Sequence, residues 1–368
     1  SSSSSTMVCG TLCAFIVLLP LAAPDGIDDF QSVPQILHLQ VFGQQQGSIR
    51  NPIQAAAWAS LQKHFPRDTF TYIISDMTAN RRCIRDEFAS FLDAFDSLPD
   101  DIMKSDVGRV CQLYRHGGLY IDSDYEVFAG DLFEELPKGV ASIVESPYKA
   151  IEELQNSLMA SPPRHALWAD YLAHVFKLLK ESSGEQRNAV FLTGPAVLTT
   201  VAGVPLNFTL AALSRSASPI RSSRPDVHVL PCSDFNRPTL PQIDSFQFLL
   251  KDCGDVLSPE GTRSIHWQLS EWLVRDPDVN EHLRQLCRQW HPTLDCRSAY
   301  HDPWSLAEDL QGLALTAQDG DVHSISKQHV VELRRKVLQY HGRACWQSSS
   351  RSRAASLERA LQRCDDLI

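Results

Sequence analysis

The run from Ser105 to Glu126 constrains this chain more than any other stretch. Val107, Val110, Cys111 and Tyr114 recur at helical spacing and predict a helix over Asp101–His116 with one apolar face. Asp106 and Arg109, one turn apart, are then expected to share the opposite face. Arg115 and His116 bring cationic groups to the helix end where the dipole favours them, and Gly117 can take a left-handed cap conformation. A short apolar strand, Leu119–Ile121, follows and runs into two carboxylates, Asp122 and Asp124. Alternation along a strand predicts that both point to the same side. In open α/β sheets, ligands bind at the carboxyl ends of strands. Two like charges this close are costly unless a cation sits between them. The pair therefore reads as ligands for a divalent ion that also meets phosphate oxygens.

The surroundings fit a sheet with helices packed on it. Val33–Val41, ending at Gly43, predicts a first strand, Pro52–His64 a helix and Thr69–Ile74 a second strand. Asp86–Phe95 predicts another helix with Phe88, Phe91, Leu92 and Phe95 on one face, and Ala141–Val144 another strand. Ser161-Pro162-Pro163 reads as a helix start, followed by the apolar stripe Leu167, Trp168, Tyr171, Leu172, Val175, Phe176 and Leu179. His38, in an apolar strand, is expected to be a satisfied core histidine. Strands alternating with helices imply an α/β class with a mainly parallel sheet.

Charge and cysteines narrow the setting. With 34 basic against 44 acidic side chains among 368 residues, the net charge of −10 argues against a nucleic-acid partner. Val8–Ala23 carries no charge, so residues 1–30 are expected to hold a signal peptide ending near Leu21-Ala22-Ala23, or a single type II membrane anchor, plus a linker. Cys83 and Cys111 fall in helical patterns and are expected as buried thiols. Cys287 and Cys296 flank Trp290-His291-Pro292 and are expected to form a disulfide. There is no Cys-x-x-Cys pair, which argues against structural zinc. Asn207-Phe208-Thr209 is a glycosylation sequon. Together with the apolar N-terminal run it points to the Golgi or another secretory-pathway lumen. Beyond Cys296 the chain changes character: Val330–His341 is helical and basic, and Ser348–Arg353 is a polar break. Residues 297–368 are expected to be a helical extension, partly disordered.

The central run resembles the signature of the DXD-containing sugar-binding family of glycosyltransferases, which includes α-1,6-mannosyltransferases, inositol-phosphorylceramide mannosyltransferases and α-1,4-galactosyltransferases. The residues that carry the resemblance are Asp106, Arg109, Tyr114-Arg115-His116-Gly117-Gly118 and Tyr120-Ile121-Asp122-Ser123-Asp124. Val33–His38, Asp96–Pro99, Asn156–Ser161, Thr193-Gly194-Pro195 and Ser264–Trp267 resemble further blocks. The resemblance covers roughly Val33–Trp272 and implies a GT-A fold, a Rossmann-like nucleotide-sugar domain, and the catalytic domain is expected over residues 31–296. It implies a metal-dependent, retaining transfer of a hexose from GDP-mannose or a UDP-hexose to a glycan or glycolipid acceptor. Asp122 and Asp124 would hold Mn²⁺, or Mg²⁺, on the diphosphate, and Asp106 and Arg109 would contact hydroxyls of the donor sugar. Tyr120, Ser123 and Asn156 would complete the donor site. One departure is visible: where the family often has a base-stacking Trp, this chain has Val41 followed by Phe42.

Two carboxylates and two phosphate oxygens leave an octahedral ion short of partners, and Mn²⁺ accepts imidazole. His266, in the later block, is the candidate third ligand, and Trp272 a candidate lid over the donor. Two other readings compete with this one. Haloacid dehalogenases also end a strand in Asp-x-Asp, but Thr or Val follows two residues later, where this chain has Glu126. A non-catalytic, GT-A-like sugar-binding protein would keep the fold without the chemistry.

Overall fold

The computed structural model describes residues 32–40, 51–147, 154–181, 189–204, 220–239, 253, 261–267, 269 and 277–296. The strands are β1 (Ile36–Gln40), β2 (Thr71–Ser75), β3 (Gly118–Ile121), β4 (Tyr125–Val127), β5 (Ala141–Glu145), β6 (Leu154–Ser161), β7 (Val227–Leu230) and β8 (Ser264–His266). The helices are α1 (Pro52–His64), α2 (Met77–Glu87), α3 (Leu92–Asp96), α4 (Asp101–His116), α5 (Leu132–Glu135) and α6 (Ala166–Glu181). They continue with α7 (Ala189–Leu192), α8 (Pro195–Val201), α9 (Cys232–Phe235) and α10 (Pro277–Trp290). Six strands form one sheet in the order β2-β1-β3-β6-β5-β7, and β4 pairs with β8 as a separate ribbon. Only β6 runs against the others, being antiparallel to both β3 and β5. The expected mainly parallel α/β sheet is therefore present. The chain leaves β1 in one direction for β2 and returns on the other side as β3, so the reversal lies beside the ends of β1 and β3.

Strand alternation sorts the core into two layers. Tyr120, Ile143, Met159 and Val229 face Val107 and Val110 of α4 and Trp168 and Leu172 of α6. Leu37, Leu39, Leu119 and Ile121 face Leu61 of α1 and Tyr125 and Val127 of β4. A third, smaller cluster joins Ile53, Ile265, Trp267, Leu283, Leu286 and Cys287. Helix starts follow local chemistry. Asn51 Oδ1 accepts from the Ile53 and Gln54 amides at 2.9 and 3.4 Å, with Pro52 in the first turn, and Asp76 Oδ1 accepts from the Ala79 amide at 2.7 Å.

Several local expectations need correction. Asp86–Phe95 is not one helix: α2 ends at Glu87, and a short 3-10 turn, Ala89–Phe91, leads into α3. Ser161 caps nothing; it closes β6, and α6 starts five residues later at Ala166, although its apolar stripe is buried as expected. Cys83 and Cys111 are not free thiols but a disulfide tying α2 to α4. The Cys287–Cys296 disulfide is as expected, and Cys232–Cys253 adds a third. Gly117 has φ 64° and ψ −162°, outside the left-handed helical cap and in a region open essentially to glycine alone. A Cβ there would lie 2.6 Å from the Pro163 nitrogen, and one on Gly118 would lie 2.5 Å from the Ile36 carbonyl. The Gly-Gly turn thus lets β3 leave α4 directly beneath β1.

His38 is buried on the α4 side of β1, and its Nε2 donates to the Gly117 carbonyl at 2.6 Å. Its Nδ1 is buried and has no partner, so only half the ring is satisfied. Burial holds the imidazole down to about 4, against the help of the Gly117 bond. The folded protein therefore keeps a neutral ring that an unfolded chain would protonate near 6.5. This stability is fully present above about pH 6.5 and is lost as the pH falls towards 4, about 3 kcal/mol in all. His38→Gln keeps the donor but cannot charge. The melting temperature of the wild type relative to this variant is expected to fall across pH 6.5 to 4. Parallel profiles would show that His38 does not titrate in this way.

Candidate active site

Asp122 and Asp124 are not strand residues. They lie in the turn between β3 and β4, closed by the Tyr125 amide donating to the Asp122 carbonyl at 3.1 Å. The turn, not strand alternation, brings the two carboxylates together. Pairing of β4 with β8 then places Tyr125 opposite His266, whose ring stacks on the Tyr125 ring at 4.5 Å. His266 Nε2 lies 3.3 Å from Asp124 Oδ1. Asp122, Asp124 and His266 each offer one ligand atom, and these atoms all lie within 4.8 Å of one another. Among the described residues this is the group suited to a metal ion.

Each carboxylate is oriented by separate contacts. Asp124 Oδ2 accepts from the Leu269 amide at 2.7 Å, and the Trp267 amide donates to the Asp124 carbonyl at 3.0 Å. Asp122 Oδ1 accepts from the Tyr120 hydroxyl at 2.5 Å and from Arg109 at 3.1 Å. The Asp122 side chain is 26 % exposed, against 11 % for Asp124, so the site opens on the Asp122 side. Burial pushes the Asp122 carboxyl up, with Asp124 adding to this and Arg109 opposing it. Burial also disfavours the Asp124 charge, but His266 and the Leu269 amide outweigh it and hold Asp124 down. Two carboxylates and an imidazole suit Mn²⁺, and the residues present fit such an ion.

Helix α4 has no polar outer face. Ser105 to Leu113 is buried without a break, so Asp106 and Arg109 are interior groups rather than the exposed pair that helical spacing suggested. Arg109 donates to Asp122, to the Asn156 carbonyl at 2.9 Å and to Ser105 Oγ at 3.1 Å, and lies over the Tyr120 ring at 4.7 Å. It also pairs with Asp106 at 3.3 Å. Burial opposes its charge, but Tyr120, Asp122 and Asp106 together raise it further. Asp106 accepts from Asn156 Nδ2 at 2.9 Å and from Thr193 Oγ1 at 3.0 Å. Burial pushes it up to about 7, in spite of Arg109, Thr193 and Asn156.

The structure therefore joins Asp106, Arg109, Tyr120, Asp122, Asp124, Asn156 and His266 into one site. Ser123 is exposed at the tip of the turn, where its Oγ accepts from Gln54 of α1 at 3.3 Å. Trp272, Val41, Phe42, the sequon and residues 297–368 lie outside the described residues. Sequence reasoning assigned no role to Thr193, whose only signal was the Thr-Gly-Pro block. It also gave no role at the site to Glu126, or to His291 in the loop between Cys287 and Cys296.

Residues 44–130 match the family described as "Glycosyltransferase sugar-binding region containing DXD motif". The matched segment includes α4, the Gly-Gly turn, β3 and the Asp122–Asp124 turn just described. The chain carries a glycosyltransferase sugar-binding region. With this region in place, the protein is an enzyme of the glycosyltransferase type. No curated protein matches the chain. Among solved structures, "PaToxG Glycosyltransferase" is similar at 15 % identity and a TM-score of 0.36, over 50 % of this chain and 72 % of that one. A likeness this slight carries no argument about chemistry. Within the sugar-binding region, the DXD carboxylates are Asp122 and Asp124, and the third metal-suited group, His266, lies far outside the matched segment. No helix among the described residues is long and apolar enough to cross a membrane.

Proposed function

We propose that the protein moves a hexose from a nucleotide sugar, GDP-mannose or a UDP-hexose, to a hydroxyl of a glycan or glycolipid, with retention of configuration and dependence on a divalent metal. The observation that carries this reading is the convergence of Asp122, Asp124 and His266 on one small volume, with Arg109 linking Asp122 to Asp106. Mn²⁺ or Mg²⁺ held there supplies positive charge for a departing nucleoside diphosphate. Arg109 fixes the Asp122 carboxylate from behind and keeps Asp106 beside it. Asn156 bonds both, through its side-chain amide to Asp106 and its backbone carbonyl to Arg109, and so ties the two together. Asp106, buried and bonded by Arg109, Asn156 and Thr193, anchors this network, and we propose that it meets the donor sugar at the inner end of the site. Ser123 and Trp272 are proposed to border the diphosphate and to close over the donor.

Three disulfides among the described residues favour an oxidising compartment, in keeping with a Golgi or other secretory lumen and a type II anchor or cleaved leader in residues 1–30. The catalytic unit is proposed to span 31–296.

The test is hydrolysis of GDP-mannose, UDP-galactose, UDP-glucose and UDP-N-acetylglucosamine by purified protein with Mn²⁺. One donor is expected to be cleaved, and cleavage to stop on chelation. Binding with no metal-dependent cleavage of any of the four would overturn the assignment of these donors.

A further inference from the structure

The Asp124–His266 pair is held by a ribbon of only three residues per strand, which is too short to be rigid by itself. Its stiffness comes from a buried charge on its far side. Tyr125 and Val127 face the core, so alternation turns Glu126 the other way, towards the cluster of Ile53, Ile265, Trp267, Leu283 and Leu286. A carboxylate in such apolar company is tolerated only if its oxygens are bonded. Glu126 Oε2 accepts from Trp267 Nε1 at 3.0 Å and from His291 Nε2 at 2.7 Å. Trp267 is thereby fixed at both ends, since its backbone amide donates to the Asp124 carbonyl at 3.0 Å. It lies between His266 and Leu269, the two residues that bond the Asp124 carboxylate.

His291 is delivered by a closed loop. It follows α10, its amide donates to the Cys287 carbonyl at 2.7 Å, and the Cys287–Cys296 disulfide closes the turn around it. The same loop makes a second contact with the end of the ribbon: the Trp290 ring stacks on Phe128 at 5.1 Å.

We propose that His291 is a positioning residue for the metal site, acting through Glu126 and Trp267 to hold Asp124 and His266 in register for one ion. The inference rests on the metal reading given above. Loss of a bond made directly to a metal ligand normally changes metal affinity about 10–100-fold, and His291, which reaches the ligands only through Glu126 and Trp267, is expected to act at the low end of that range. The disulfide loop is thus part of the ion site although none of its atoms touches the ligands.

The experiment measures Mn²⁺ binding directly, by the electron paramagnetic resonance signal of the free ion, on the full chain without donor. His291→Phe keeps a ring against Trp267 and removes the donor; His291→Gln restores a donor near the Nε2 position. The Phe variant is expected to bind Mn²⁺ about tenfold more weakly, and the Gln variant within about threefold of the wild type. Trp267→Phe cuts the next link and is expected to weaken binding to a similar extent; it decides the matter if His291→Phe does not fold. Unchanged affinity in the folded variants, or equal loss in His291→Phe and His291→Gln, overturns the proposal and leaves the metal reading standing. A wild type that binds no Mn²⁺ overturns the metal reading itself, and the role of His291 with it.

Discussion

Asp124→Asn is expected to lower sugar transfer about a thousandfold, from the loss of several kcal/mol of metal-borne charge stabilisation. The protein should stay folded, with a melting temperature within about 3 °C of the wild type for a change of about 1 kcal/mol or less. The geometry separates the two effects. Asn fills the same volume, and its remaining oxygen can still accept from the Leu269 amide. What it loses is the negative oxygen beside His266, and with it one of three groups that share the ion. The backbone of the turn is untouched, because the Trp267 amide bonds the Asp124 carbonyl rather than its side chain. Full turnover by Asp124→Asn in excess chelator would remove the metal from the reaction.

Arg109→Ala should act in a different way, on folding as well as on turnover. Its side chain is buried, with 5 % exposed. Removing it leaves Asp106 and Asp122 facing one another without a cation and strips a donor from the Asn156 carbonyl. Breaking a buried pair from one side costs about 3–5 kcal/mol. For a domain of this size the melting temperature should fall by about 10 °C. Arg109→Lys keeps the charge but cannot reach Asp106, Asp122, Ser105 and Asn156 together, so it should lie between the two in both stability and activity. A wild-type melting temperature for Arg109→Ala would show that the network is not a structural support.

The difference between these two residues marks how much of the site could be read from the chain. Asp122 and Asp124 were legible because an apolar strand ending in Asp-x-Asp after a Gly-Gly turn is a local pattern. The family match covers that same stretch. The helices Pro52–His64 and Asp101–His116 were legible for the same reason, as periodicity and end signals are local. Arg109 was located correctly but given the wrong environment. Its spacing from Asp106 speaks only of the helix surface, and whether α6, α7 and β6 cover that surface is not written in the helix.

The sequence by itself determined the α/β alternation, the Gly-Gly turn that only glycine can make, and the pair of carboxylates, because each depends on residues a few positions apart. The tertiary structure decided the rest. It joined Cys83 to Cys111, buried Asp106 until its carboxyl rose to about 7, and brought His266 and His291 to the turn from more than a hundred residues away. It also showed that the two carboxylates meet through a turn rather than along a strand. These features depend on which surfaces pack together. Packing sums small contributions over the whole chain, so no local spacing encodes it.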